Sequence, residues 1–323
     1  MKEEQNNINR VLGQKVEYPT TYDKSILVRE ARQTNRSHVN LSDQNLPFVG
    51  FDTWDAFEFT CLQNNGLPVA GRLKLVYDCN SKYIVESKSL KLYLNSFNFY
   101  KCGDSIYNCF SNAEKIIKND LSELLEINVA VEIFAYEAPN KSIATGIQAA
   151  TGIQAATHAS LNTPFNVSWQ LLNDIIFRHE EVYPNTEYVE DPRLLKLDKG
   201  RALVPQAYWC NTLFSRCKVT KQPDHGDIYI YYDGDKVLND ISLLQYITSI
   251  RNECHFHEEI CETVYKRLYD LLDKPKDLFV GCLYTRRGGI GINPIRASNN
   301  TLLKCIAYKL RNVSIMYEKS MKQ

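Results

Sequence analysis

Six histidines are spread over 323 residues, and none of the ten cysteines belongs to a Cys-x-x-Cys pair, so the usual zinc spacings are missing. An excess of either charge is missing too, because Lys+Arg and Asp+Glu both total 38. No global positive field is available to hold nucleic acid or an anionic membrane, and neither is expected as a partner. No apolar run approaches membrane-spanning length, and Met1 to Arg10 is polar where a signal peptide needs an apolar core. A soluble, cytoplasmic chain with reduced thiols is therefore expected. No Gly-x-Gly-x-x-Gly follows a strand, which argues against a Rossmann-type phosphate loop.

What is present suits a globular chain of about two domains: 44% of residues are hydrophobic and 24% charged, enough apolar material to bury real cores. Residues 1–44 are polar and read as an irregular lead-in wrapping the first domain. Trp54 to Leu62, Val69 to Tyr77 and Tyr83 to Glu86 carry aromatic and β-branched residues between turn signals, which predicts antiparallel strands. Leu90, Tyr93, Leu94 and Phe97 recur at helical spacing. Ser111 to Glu114 reads as a capping box that opens a second helix, and Val129, Val131 and Ile133 return to strand alternation.

The same order recurs later. Asn211 to Val219 and Ile228 to Tyr232 read as strands, Ile241 to Arg251 and His257 to Leu272 as helices, and Leu278 to Tyr284 as a closing strand. Ser89-Leu90-x-x-Tyr93-Leu94-x-Ser96-Phe97 echoes Ser242-Leu243-x-x-Tyr246-Ile247-x-Ser249-Ile250, which points to duplication. The expected division is a lead-in over 1–44, a first module over 45–140, a variable insertion over 141–200 and a second module over 201–323. The doubled hexapeptide at 144–157 falls in the insertion and reads as a mobile loop, two short copies being too few for a solenoid.

Chemistry concentrates in Ser215 to Asp224 (SRCKVTKQPD), where Cys217 and Asp224 stand seven residues apart across a turn. A thiolate is the strongest nucleophile among common side chains, and a carboxyl beside it can move a proton. A buried cysteine and a turn aspartate are the bland alternatives for the same pair. Phe256, His257 and Glu258 open a helix, where side chains can point into a pocket.

Taken together these segments resemble the NADPH-dependent 7-cyano-7-deazaguanine reductases of queuosine biosynthesis, in their two-module form. The resemblance runs through Tyr22-Asp23-x-Ser25-Ile26-Leu27, Asn45-Leu46-Pro47-Phe48, Gly66-Leu67-Pro68 and Glu86-Ser87-Lys88-Ser89-Leu90-Lys91-Leu92-Tyr93. It resumes at Cys217 to Asp224, Phe256-His257-Glu258 and Tyr284-Thr285-Arg286-Arg287-Gly288-Gly289. It implies an α+β chain of tandem tunnelling-fold modules, each an antiparallel sheet with two helices, assembling as a homodimer. The implied reaction is reduction of a nitrile to a primary amine through a thioimide on Cys217, with Asp224 as proton donor and His257 beside it.

The resemblance further implies that Val85, Glu86, Ser87, Phe256, His257 and Glu258 bind the base. Ser87, Lys88, Arg287 and Gly288 would bind NADPH, and no metal is implied. A related amidinotransferase would use the same thioimide without a hydride, and the cations Lys88 and Arg287 argue for the reductase. Two departures from the family pattern flank these motifs. Gly291 stands where aspartate is usual, and His225 where an aromatic residue is usual.

Overall fold

The computed structural model describes residues 19–136, 169–175, 188–199 and 203–306. The hexapeptide at 144–157 lies outside them. In the first half, β1 (Arg29–Ala31) pairs with β4 (Tyr83–Val85), and β2 (Val49–Gln63) forms a hairpin with β3 (Pro68–Asp78). A short β5 (Lys101–Gly103) runs parallel to the end of β2, and β6 (Ala130–Ala135) continues the sheet beyond β3. In the second half, β7 (Gln170–Leu171) runs parallel to β9 (Gln206–Cys217), β8 (Leu197–Asp198) pairs with β11 (Val237–Leu238), and β9 forms a hairpin with β10 (Pro223–Asp233). A short β12 (Cys254–His255) lies parallel to the end of β9, and β13 (Asp277–Tyr284) continues beyond β10.

The strand that joins the halves is β14 (Ile290–Ala297), which pairs antiparallel with both β13 and β2. Sequence patterning missed it, because Gly291, Asn293 and Pro294 weaken its strand signal. A single ten-stranded, mostly antiparallel sheet therefore crosses the whole chain, with β12-β9-β10-β13-β14-β2-β3-β6 as its path. Gly50 permits the junction, since a Cβ there would collide with the Ile295 carbonyl oxygen across the ladder.

Two helices lie over each half: α2 (Ser87–Asn95) and α3 (Ile106–Leu125) over the first, α4 (Asp240–Ser249) and α5 (His257–Leu271) over the second. The expected capping box at Ser111 is corrected. The helix begins a turn and a half earlier, where the Ser105 hydroxyl accepts from the Asn108 N–H at 3.2 Å, while Glu114 accepts from the Ile133 N–H at 2.7 Å. Cys109, Ala113, Ile117, Leu121 and Leu125 form one buried stripe against β2 and β3, each large aliphatic contributing about 1.5–3 kcal/mol. A second cluster packs α4 and α5 on β9, β10 and β13. Strand residues of opposite parity, among them Phe51, Val76, Tyr231, Phe279 and Ile295, form a third cluster on the other face with Leu302, Leu303 and Ile306.

The duplication suggested by the serine echo extends into hydrogen bonding. Ser89 and Ser242 donate to the Glu86 and Asn239 carbonyls, both at 2.8 Å, while accepting from the N–H groups of Val28 and Lys196, both at 3.0 Å. Ser96 and Ser249 donate to the Tyr93 and Tyr246 carbonyls at 2.6 and 2.7 Å. The segment expected to be an irregular lead-in holds β1, a short α1 (Arg32–Arg36) and two 3-10 turns. Its Val39 and Leu41 pack into the second cluster, so it touches both halves.

A buried charge cluster ties that lead-in to the sheet junction. Arg296, fully buried, donates to Asp52 at 2.8 Å and to Glu262 at 2.8 and 3.0 Å. Arg36 grips both oxygens of Glu262 at 2.7 and 2.8 Å, and Arg32 reaches Asp52 at 2.5 Å. Burial alone pushes the Glu262 carboxyl up, but Arg296, Arg36 and Arg32 outweigh it and hold it at about 2. Its ordinary value is 4.5, so the stabilisation is complete above that pH and drains as the pH falls towards 2. Glu262→Gln should lower the unfolding free energy by about 3–5 kcal/mol at neutral pH, because three guanidinium groups lose a buried partner. Urea denaturation measures it, and a loss below about 1 kcal/mol would contradict this role for the cluster.

Candidate active site

The β9–β10 hairpin sets the reactive pair by register. Arg216 faces Pro223 and Ser215 faces Asp224, while the Cys217 N–H donates to the Gln222 carbonyl at 2.9 Å. Side chains two apart on a strand share a face, so Cys217 and Ser215 point to the side on which Asp224 stands. Lys221 closes the turn with a left-handed backbone, φ +60°, and donates its N–H to the Cys217 carbonyl at 3.0 Å. The part-buried thiol and the buried carboxyl meet in this corner.

His257 and Glu258 reach the same corner from the first turn of α5. The His257 ring stacks on Tyr284, with centroids 3.8 Å apart and planes 7° from parallel, and its Nε2 lies 3.5 Å from Asp224 Oδ2. Arg287 donates to Asp224 Oδ1 from the turn between β13 and β14, and to Gln222 Oε1 at 2.6 Å. Burial pushes the Asp224 carboxyl up, yet His257 and Arg287 together outweigh it and hold the group below the ordinary carboxylate value. The Arg287 guanidinium also interacts with the Cys217 thiol.

Glu258 is the opposite case. It is 3% exposed, its Oε1 has no hydrogen-bond partner, and burial with Asp52 behind it pushes the carboxyl up to about 8. A buried acceptor left open beside a cavity is a place for a ligand's N–H groups. Phe256 stands next to it, with the Lys218 ammonium 5.1 Å from its ring centroid.

These groups line a cavity of ≈ 260 Å³ at the junction of the halves. Val85, Ser87 and Lys88 come to it from the first half; Cys217, Asp224, Phe256, His257, Glu258, Arg287 and Gly288 come from the second. Ten of the eleven sequence-predicted positions are thus together. The eleventh, Glu86, expected to bind the base, does not line the cavity. It is 1% exposed, and its two oxygens accept the N–H groups of Lys88 and Ser89 at 3.0 and 2.6 Å. Those amides open α2 and have no intrahelical acceptor, so the carboxylate is held as a cap.

Six further residues line the cavity to which sequence reasoning gave no role: Trp54, Lys91, Gln222, His255, Ile290 and Ile292. Lys91 had a legible signal, since it follows Lys88 by three residues and so shares its helix face. His255 had none. Its ring bridges Glu253 at 3.1 Å and Glu259 at 2.9 Å; burial lowers its basicity, but the two carboxylates raise it to about 9. Lys88, Lys91 and Arg287 give one rim of the cavity three cationic side chains, beside the two-glycine turn Gly288-Gly289 at φ +56° and +82°. A Cβ on Gly288 would sit against the Lys91 ammonium, so the bare turn lets a ligand's phosphates approach backbone and cations together. The donor set therefore fits an anionic cofactor, held without a Rossmann loop.

Both departures lie on strands. Gly291 sits within β14 opposite Asp55, and the His225 ring packs edge-on against Phe214 at 4.8 Å. At the corresponding places of the first half, the β2–β3 hairpin carries Gln63 and Val69 where β9–β10 carries Cys217 and Asp224. The Gln63 N–H closes that hairpin on the Leu67 carbonyl at 2.8 Å, as Cys217 does on Gln222. Among the described residues no group of three or more His, Cys, Asp and Glu side chains is arranged to hold a metal. No helix among them is long and apolar enough to cross a membrane.

The family model for the nitrile reductase, 7-cyano-7-deazaguanine-reductase N-terminal region, matches residues 18–133, and the model for QueF-like proteins matches residues 223–302. The chain is similar to the NADPH-dependent 7-cyano-7-deazaguanine reductase of Psychrobacter cryohalolentis, 33% identical over 92% of this chain and 96% of the relative. The reductase of that name from Buchnera aphidicola is 33% identical over 84% of this chain and 90% of its own, and the one from Rickettsia massiliae 32% over 90% and 93%. Both family models fall on the halves that build the cavity, and the relatives span nearly the whole chain. It belongs to the family of NADPH-dependent 7-cyano-7-deazaguanine reductases.

Proposed function

We propose that this chain reduces the nitrile of 7-cyano-7-deazaguanine to the aminomethyl group with two NADPH, through a thioimide on Cys217. The observation that carries it is the shared cavity. A nucleophile, a proton carrier, an open buried acceptor and a cationic rim converge there, each of the kind the reaction needs. The scaffold is read as two tunnelling-fold modules, 45–140 and 201–323, in a homodimer whose free sheet edges supply the drive to pair.

The residues divide the work by chemistry. Glu258 accepts from the ring N–H and amino group of the base, and Phe256 stacks on its plane. The Asp224 carboxylate, ionised in the free site, first takes the Cys217 thiol proton. As sulfur bonds to the nitrile carbon, one C–N π bond opens and Asp224 returns that proton to nitrogen, leaving a neutral thioimide. His257, fixed by its stack on Tyr284, keeps the carboxyl oriented.

NADPH held in the site would supply the hydrides, one for the thioimide carbon and one for the imine left once the C–S bond breaks. Lys88, Lys91 and Arg287 would hold its phosphates, with the Gly288 turn giving backbone access. The nitrogen already carries the thiol proton, so the first hydride and loss of sulfur leave a neutral imine; the second hydride is matched by one proton to nitrogen, which Asp224 is placed to deliver. Sulfur leaves as thiolate with the electrons of the C–S bond and takes a second proton to become the thiol again.

Incubating the protein with the nitrile and no reductant should add the mass of one nitrile per chain, seen by intact-protein mass spectrometry, and Cys217→Ala should show none. A Cys217→Ala protein that still carries the adduct, or still turns over, would refute the covalent route. Base binding should depend on pH through Glu258. Below its value of about 8 the carboxyl is protonated and offers fewer acceptors. Affinity for a 7-deazaguanine lacking the nitrile should therefore rise up to about tenfold per unit between about pH 6 and 8, then level off. Calorimetric titration measures this; a flat profile in the unaltered protein would count against Glu258 as the acceptor.

A further inference from the structure

Within the site, Arg287 serves two anions that are not wanted at the same time. It donates to Asp224 Oδ1, is braced by Gln222 at 2.6 Å and Thr220 at 3.4 Å, and is 35% exposed through its side chain. It also stands on the cationic rim with Lys88 and Lys91, beside the Gly288 turn. Forming the thioimide requires Asp224 as an anion able to receive the thiol proton. Completing the amine with the second hydride requires the same carboxyl protonated.

We propose that Arg287 is a shared positioning residue, held by Asp224 in the free site and drawn to the cofactor phosphates on binding, so that Asp224 changes from base to acid when the cofactor arrives. This rests on the function proposed above. The proton that Asp224 gains comes from solvent and goes to the substrate nitrogen with the second hydride; another solvent proton returns the thiolate to the thiol, so two are taken up per turnover. His257 and Arg287 contact Asp224 and Tyr284 interacts with it, while Glu258 from α5, Cys217 from β9, His255 from β12, and Lys88 and Lys91 from α2 line the same cavity. Of these, His257 and Arg287 are the two that hold the carboxyl down, and of the two Arg287 sits on the part-exposed rim where a phosphate can compete for it.

Two measurements test the sharing. The first is the rate of thioimide formation without cofactor, at saturating nitrile, followed by mass against pH. Removing a cation that pairs with a carboxylate raises its titration by about one unit or more, so Arg287→Gln should move the acid limb of this rate upward by that amount. Arg287→Lys should keep most of the original profile. An Arg287→Gln profile identical to that of the unaltered protein would overturn the proposal, because a residue serving only the cofactor has no part in a cofactor-free step. If the unaltered protein forms no thioimide, the function above fails and the base-to-acid change fails with it.

The second needs no nitrile and so separates the two ideas. Binding of NADP+ is measured by calorimetry to the unaltered protein, Asp224→Asn, Arg287→Gln and the double variant. If Asp224 competes for the guanidinium, Asp224→Asn should tighten NADP+ by roughly threefold to tenfold, and the gain should vanish in the Arg287→Gln background. An equal gain in both backgrounds would mean a general effect of charge and would overturn the sharing. No gain in either would do the same.

Discussion

Everything at the site depends on the pairing of β14 with β2, a ladder of eight residue pairs from Ile290 opposite Ala56 to Ala297 opposite Val49. Without it the two halves are separate sheets, and Lys88 has no fixed distance from Arg287. With it, Trp54 from the first half lines the same cavity as Ile290 and Ile292 from the second. A one-residue slip would turn every side chain of β14 to the opposite face. The buried Arg296, on the same strand, resists that slip because its partners Asp52 and Glu262 stand only on the helical face.

This arrangement separates rigidity from reactivity. Charges that anchor the fold are saturated: Arg296, Arg36, Glu262 and Asp52 have their partners from within the chain. Glu258 lies near the same cluster, yet Asp52 repels its charged form and one of its oxygens is left open. The same electrostatic field that pins the sheet junction thus leaves one carboxyl oxygen open at the cavity wall.

Much of this was legible in the residues. Alternation announced β2, β3, β9, β10 and β13, and the helical spacing of Leu90, Tyr93, Leu94 and Phe97 announced α2 with its 3-10 extension. The serine echo was a true sign of duplication because each serine makes the same local bonds in both halves. Motif resemblance gathered most of the cavity. What could not be read was set by long-range contact: β14 carries glycine and proline yet is held by neighbours on both sides, and Glu86 is recruited by amides that need a cap. Ser111 followed the local rule for a helix start, but Ser105 had the extended backbone that a cap requires.

The doubled scaffold is chemically single. Gln63 and Val69 occupy the places that Cys217 and Asp224 hold in the other half, so the first half brings no thiol to the cavity but the opening of α2, with its two lysines. On the function proposed above, each polypeptide carries one covalent passenger at a time, and the first half contributes a binding surface in place of a second thiol.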